Sequence, residues 1–236
     1  MKFVNYAHRG ASEYLPENTL ISFCTGLFMG ANGIETDVRL TKDGVAVLFH
    51  DDSLLRVTGT EGRPEDFTYA QLQQLRVSKN GYWDRILSFE DFLRHFAYRD
   101  LTFAIELKGP GAEAETARLL RQYGMAEKTI VTSFKKDYLA NFRALAPEFE
   151  IGLLTSDYSQ ETLDWLRNIG AQEICPKAEH LTAQRVARWH ALGLRVRAWG
   201  VYDEALMDLA LRCGVDGMTV NFPDKLTARL NQAENF

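Results

Sequence analysis

Two acids one residue apart, Glu35 and Asp37, stand in the run IETDVRL, and a second β-like run, VAVLFH, ends in His50. Side chains at i and i+2 of a strand point to one face, so Glu35 and Asp37 offer two carboxylates together, half of a site for a hard cation. His8, with Arg9 and Gly10, closes the first apolar run, FVNYAH. Glu106, with Lys108 two residues on, closes LTFAIELK. Strand ends in the first half of the chain thus carry two imidazoles, three carboxylates, an Arg and a Lys. Such a set suits a phosphate ester held on a divalent cation. Glu35, Asp37 and Glu106 carry the oxygen ligands that Mg²⁺ or Ca²⁺ takes. Arg9 has the planar fork that fits phosphate oxygens, and Lys108 brings a point charge to the same side as Glu106. His8 and His50 titrate near neutrality, so one ring can hold a proton for a leaving oxygen while the other accepts one from the nucleophile. Which is acid and which is base is open at this level.

These groups need elements to hold them. Short β-branched or aromatic runs alternate with segments of helical period along the whole chain, the pattern of a parallel sheet with crossover helices. Strands are expected at Phe3 to His8, Gly33 to Leu40, Thr102 to Lys108, Thr129 to Ser133, Glu150 to Leu154, Glu173 to Pro176, Arg195 to Trp199 and Gly217 to Val220. About eight strands close a TIM barrel, whose C-terminal face carries the chemistry. Asn18 or Thr19 can cap the first helix, with Leu20, Phe23, Leu27 and Phe28 as its apolar face. Helices follow at Ala112 to Tyr123, Lys136 to Leu145, Gln160 to Ile169, Ala183 to Leu192 and Glu204 to Cys213, four of them with a glycine just beyond. A closing helix spans about Asp224 to Asn231, and the tail Gln232 to Phe236 is expected to fray. Between His50 and Ser88 the rhythm breaks: turn residues, charged clusters and a short helix-like stretch, Tyr69 to Leu75, form an interval too long for an ordinary loop.

In order and spacing, His8-Arg9-Gly10, Pro16-Glu17-Asn18-Thr19, Glu35 and Asp37, His50-Asp51, and Glu106 and Lys108 resemble the signature of the glycerophosphodiester phosphodiesterases. The resemblance continues through Trp199 and the segment Asn221, Phe222, Pro223, Asp224. It implies one barrel domain over 1–236, with 51–88 as a small insertion near the active-site mouth. It further implies metal-dependent hydrolysis of glycerophosphodiesters, such as glycerophosphocholine or glycerophosphoethanolamine, to glycerol 3-phosphate and an alcohol. On this reading His8 and His50 are catalytic, and one Mg²⁺ or Ca²⁺ sits on Glu35, Asp37 and Glu106. Arg9, Lys108 and Trp199 contact the substrate, Trp199 as an aromatic wall at the end of the seventh strand. The resemblance also allows the glycerol hydroxyl, rather than water, to attack first. Alternatives are a lysophospholipid or glycerophosphoinositol substrate, or a catalytically silent phosphate-binding barrel. The Gly-Val-Tyr after Trp199 departs from the family's usual run and bears on substrate preference.

The 236 residues fit one barrel, and 46% hydrophobic with 25% charged residues is ordinary globular usage. A net charge of -5 without a basic stripe argues against nucleic acid as a partner. No run approaches the roughly 20 apolar residues of a membrane span, so stable membrane insertion is not expected. No signal peptide is apparent, and a cytoplasmic enzyme is the expectation. Homo-oligomerisation is left open. Cys24, Cys175 and Cys213 have no metal-like spacing and read as buried free thiols. Glu17 and Asn18 read as supporting and capping residues, and Asp51 or Asp52 as groups that can orient His50. His95, His180 and His190 read as structural.

Overall fold

The computed structural model describes residues 3–233. In chain order the elements are β1 (Val4–His8), α1 (Leu20–Phe28), β2 (Gly33–Leu40), β3 (Ala46–Leu48), α2 (Leu55–Thr58), α3 (Tyr69–Leu72), β4 (Val77–Lys79), β5 (Tyr82–Asp84) and α4 (Phe89–Phe96). Next come β6 (Thr102–Leu107), α5 (Ala112–Gln122), β7 (Thr129–Ser133), α6 (Lys136–Leu145), β8 (Glu150–Thr155), α7 (Gln160–Asn168) and β9 (Glu173–Pro176). The described residues end on α8 (Ala183–Ala191), β10 (Arg195–Val201), α9 (Glu204–Cys213), β11 (Gly217–Val220) and α10 (Pro223–Ala233). Residues 234–236 of the expected tail lie outside the described residues.

Eight strands, β1, β2 and β6 to β11, pair in parallel, and β1 meets β2 to close the ring. The fold is therefore a TIM barrel. Its strands coincide with the eight expected runs to within two residues at either end. Two elements go beyond the expected alternation. α4 buries Phe89, Phe92, Leu93 and Phe96, the i, i+3, i+4, i+7 stripe of an amphipathic helix, against Phe23 of α1 and Phe103 of β6. β3 pairs antiparallel with Val38, Arg39 and Leu40 on the edge of β2 that β1 leaves free, because β1 stops pairing at Glu35. That hairpin carries the chain over the barrel rim and delivers His50 there.

After β3 the interval through Ser88 forms α2, α3 and the β4–β5 hairpin around a small core of Val47, Phe49, Leu54, Leu72, Val77 and Ile86. It is fastened to the loop after β1 by hydrogen bonds from the Lys79 ammonium to the Ser12 carbonyl and from the Asn80 amide to the Tyr14 carbonyl. The main core lies between the barrel and its helices, as alternation along each buried strand requires.

Inside the barrel the Tyr6 ring fills the axis against Ala104 and Ile130. Facing positions must then be small: a Cβ on Gly33 would lie 2.7 Å from Val4 and 2.8 Å from Tyr6. Beside Tyr6, Arg197 donates from Nε to Glu173 Oε1 at 2.9 Å and from Nη1 to Thr219 Oγ1 at 2.7 Å, both charged groups being buried. Arg197 lines the cavity at each end of the barrel, so this pair separates them. Removing one partner of a buried ion pair strands the other charge. Glu173→Ala is therefore expected to lose about 3–5 kcal/mol of stability, read from denaturant unfolding; a loss under about 1 kcal/mol would contradict this account.

Three expectations are corrected. Of the expected apolar face of α1, Phe23 is buried and Leu20 and Leu27 pack partly buried against the core, but Phe28 is 91% exposed, and Ser22 and Gly26 complete the buried side. The helix lies so close to the barrel that a Cβ on Gly26 would fall 2.8 Å from Ala7, and small residues are what permit that approach. Cys24, one step round from Phe23, is consequently exposed; Cys213 is half-buried, and only Cys175 is buried, all three being free thiols. Trp199 does not end its strand: β10 continues to Val201 through a register shift against β11 between Ala198 and Val201, with Gly200 at a φ of 69°. The irregularity re-aims Trp199 over the barrel mouth, as bulges do near sites.

Candidate active site

A cavity of about 380 Å³ opens at the C-terminal mouth, lined among others by His8, Arg9, Glu35, His50, Glu106, Lys108 and Trp199. The strand register explains the assembly. His8 lies beside Glu35 in the β1–β2 pairing, and Asp37 lies beside Glu106 in the β2–β6 pairing. One carboxylate oxygen each from Glu35, Asp37 and Glu106 falls within 4.8 Å of the others, all three side chains being buried. Glu35 Oε2 and Asp37 Oδ1 are buried with no hydrogen-bond donor. Oxygens left in that condition, three acids deep, are the donor set of a hard divalent cation, and the residues fit one.

The electrostatics follow from the crowding. Burial, then the neighbouring Asp37 charge, pushes the Glu35 carboxyl well above the usual carboxylate range. Burial also lifts Glu106 to about 7, although Lys108 Nζ lies 2.8 Å from its Oε1. Burial acts on Asp37 in the same sense but is overcome by Arg9, with its Nε 3.1 Å from Oδ2, and by His50, Lys108 and Asn18, so this acid stays ionised. Without a cation the cluster therefore retains a proton on Glu35 or Glu106 at neutral pH.

Each imidazole is held by its Nδ1. His8 Nδ1 lies 2.5 Å from Asn221 Oδ1, which also accepts from Ser12 Oγ at 3.0 Å. An amide oxygen accepts, so Nδ1 carries the proton and Nε2 faces Glu35, 3.8 Å from Oε2. Burial, followed by the Arg9 charge, pushes His8 down to about 3 and keeps it neutral. His50 Nδ1 lies 2.6 Å from Asp51 Oδ1. Burial lowers its pKa too, and Asp37 opposes that. The His50 carbonyl is pinned separately by the buried Arg39, which donates from Nε and Nη2 at 3.2 and 3.1 Å and pairs with Asp52 and Glu65. Asp51 is thus the residue that orients the ring, and Asp52 serves Arg39.

Backbone strain marks the same place. Arg9 and Asn18, neither a glycine, both have a φ of 55°. They stabilise each other: Arg9 N–H donates to the Glu35 carbonyl, and the Arg9 carbonyl accepts from Asn18 N–H at 3.0 Å and Ser22 Oγ at 3.2 Å. Asn18 then donates from Nδ2 to Asp37 Oδ2 at 3.0 Å, while Thr19 caps α1. Gly10 is required here, because a Cβ at its φ of 88° would sit 2.4 Å from the Ser22 backbone.

All eight residues singled out from the sequence gather here, Asp37 through its place in the carboxylate cluster. Sequence reasoning gave no role to Asn221, Arg39, Arg56 or Phe134. Phe134, directly after β7 and 45% exposed, meets Trp199 edge to face at 5.0 Å and forms the wall with it. An aromatic just past a strand's C-terminal end is the signal that also selects Trp199. The partners of Arg39 and Arg56 are set by tertiary contact alone.

Comparison with known proteins agrees with this geometry. The sequence model of the glycerophosphoryl diester phosphodiesterase family matches residues 8–225. A glycerophosphodiester phosphodiesterase of Bacillus altitudinis is 34% identical over 232 residues, covering 93% of this chain and 95% of that protein. One from Caldanaerobacter subterraneus is 30% identical, covering 96% and 97%. Among solved structures, a phosphodiesterase of Oleispira antarctica in complex with the product sn-glycerol-3-phosphate superposes with a TM-score of 0.87 at 26% identity, covering 97% of this chain and 96% of that one. With the match spanning the cluster, both imidazoles and the start of the closing helix, the chain belongs to the glycerophosphoryl diester phosphodiesterase family.

Proposed function

We propose that the chain hydrolyses glycerophosphodiesters to glycerol 3-phosphate and an alcohol. One observation carries this reading: a buried three-carboxylate cluster with two unpartnered oxygens shares one cavity with two imidazoles, both fixed at Nδ1. Glu35, Asp37 and Glu106 would hold Mg²⁺ or Ca²⁺, which when bound supplies charge neutralisation at the phosphoryl oxygens. Arg9 and Lys108 add positive charge on either side of the cluster and orient the diester. His8 and His50 offer their Nε2 atoms for proton transfer, one taking the nucleophile's proton and the other returning one to the departing alkoxide. The partners differ: His50 has a carboxylate to stabilise its charged form, and His8 has a neutral amide. His50 is accordingly the better holder of a proton, and His8, a neutral ring with Nε2 unprotonated, is in the state to accept one. Trp199 and Phe134 face the carbon skeleton, and the 51–88 insertion, bringing Asp51 to the cavity rim, shapes the mouth. No helix among the described residues is long and apolar enough to cross a membrane.

The experiment is release of glycerol 3-phosphate from glycerophosphocholine by metal-stripped protein, with and without Mg²⁺ or Ca²⁺. Release that depends on the cation is expected. Turnover of a lysophospholipid but of no water-soluble diester would move the substrate assignment, and no turnover of either class with any cation would overturn the reading.

A further inference from the structure

Arg56, half-exposed on α2 in the insertion, makes four hydrogen bonds with one guanidinium. Nε and Nη2 reach Asp51 Oδ2 and Oδ1 at 2.5 and 3.0 Å; Nη1 and Nη2 reach Glu17 Oε2 and Oε1 at 2.8 and 2.7 Å. Asp51 holds His50 Nδ1, and Glu17 accepts from Arg9 Nη1 at 3.0 Å, the same Arg9 whose Nε faces Asp37. A continuous charged chain thus runs from Asp37 through Arg9, Glu17, Arg56 and Asp51 to the His50 ring. Glu17, His50 and Asp51 lie close enough to one another to hold a metal ion, but the Arg56 guanidinium already stands between the two acids as their counter-charge.

We propose that Arg56 is a positioning residue for His50, acting through Asp51. A single carboxylate beside a rim histidine can rotate, and each rotation releases Nδ1 and lets the ring change tautomer or swing away. Arg56 takes up both Asp51 oxygens with a planar fork, whose geometry a lysine cannot reproduce. That leaves Oδ1 facing His50 and keeps Asp51 ionised against burial, its pKa held at about 2 by the Arg56 and His50 hydrogen bonds. The proton then stays on Nδ1, and Nε2 stays aimed into the cavity. The small core around Leu54 and Leu72 anchors α2, so the insertion contributes to the chemistry as well as covering the mouth.

This inference rests on His50 as a proton-transfer group, and a double-mutant cycle separates the two. With the metal-supplemented full chain and glycerophosphocholine, Arg56→Ala is expected to lower kcat about 10–100-fold, the usual cost of losing an outer hydrogen-bond partner. Arg56→Lys is expected to restore less than half of that loss, and added guanidinium to rescue Arg56→Ala in part. In an Asp51→Asn background the further cost of Arg56→Ala should shrink to under about threefold, since the residue it acts through is already gone. Nitrogen chemical shifts of His50 should show the Nδ1–H tautomer giving way to a mixture in Arg56→Ala. Additive losses in the cycle with an unchanged tautomer would overturn the proposal and mark Arg56 as structural only. Should Arg56→Ala fail to fold, Arg56→Lys carries the cycle, with the same non-additivity expected. If His50→Ala itself keeps full turnover, the proton-transfer reading fails instead.

Discussion

Replacement of His8 or His50 by alanine lowers kcat by about 10²–10⁴-fold, the range for loss of a positioned general acid or base, while the affinity for the divalent cation changes little. Both halves of that expectation come from the geometry. Neither ring belongs to the three-carboxylate cluster, so calorimetric titration with Mg²⁺ should give similar binding in both variants and the wild type. Each ring is tied at Nδ1, which leaves Nε2 as the one nitrogen that can meet a reacting proton. The variants should differ in their response to the leaving alcohol. An ester of an acidic alcohol needs no proton on departure, so it should recover much of the turnover lost with the acid and none of that lost with the base. Recovery by His50→Ala and not His8→Ala is the expected pattern, because the Asp51 carboxylate supports the charged form of His50, whereas His8 has only the hydrogen bond of a neutral amide and burial keeps it neutral. The opposite pattern would exchange the roles, and retention of more than a third of wild-type kcat in either variant would remove that residue from the mechanism.

Much of this architecture was legible in the sequence because the signals were local. A strand puts every second side chain on one face, so Glu35 and Asp37 declared themselves as a pair, and Glu106 and Lys108 as another. What joined the pairs was register, Asp37 beside Glu106 and Glu35 beside His8, which the barrel topology supplies once eight runs are counted. Expectations failed where contact overrode pattern. Phe28 looks like part of an apolar face, yet α1 docks through Ser22 and Gly26, since proximity to Ala7 and Gly10 excludes bulk. Asn18 and Thr19 were interchangeable as caps until the left-handed backbone at Asn18 turned its amide to Asp37. Arg56 carried no signal at all, for its partners lie 5 and 39 residues away and only the folded insertion brings them to one guanidinium.

The carboxylate cluster makes the metal-free protein behave against habit with pH. Glu35 and Glu106 have folded-state pKa values raised above their unfolded ones, Glu106 to about 7, with burial as the main cause. The folded state then binds more protons than the unfolded state between about pH 4.5, the ordinary Glu value, and 7. Their contribution to stability falls as pH rises through that window, being fully present below the unfolded pKa and lost through the folded one; His8 and His50, lowered by burial from the ordinary 6.5, contribute in the opposite sense below about pH 6.5, so the net fall is expected above it. Asp37 is shifted the other way, and its contribution is lost only in more acidic solution. Thermal unfolding of chelator-treated protein is therefore expected to give a lower melting temperature at pH 8 than at pH 6.5. Adding the cation reverses this, because binding expels the retained proton and rewards the ionised cluster. At a hundred times Kd the gain is about 2.7 kcal/mol, or roughly 5–10 °C for a chain of this size. Calorimetry in buffers of different ionisation enthalpy should register the proton released. Glu35→Gln, which removes one charge without changing volume, should flatten the pH dependence of the metal-free protein and abolish the stabilisation by cation. A metal-free protein whose stability rises steadily from pH 6.5 to 8, or a Glu35→Gln variant stabilised by cation as strongly as the wild type, would mean that these three acids do not form one coupled site.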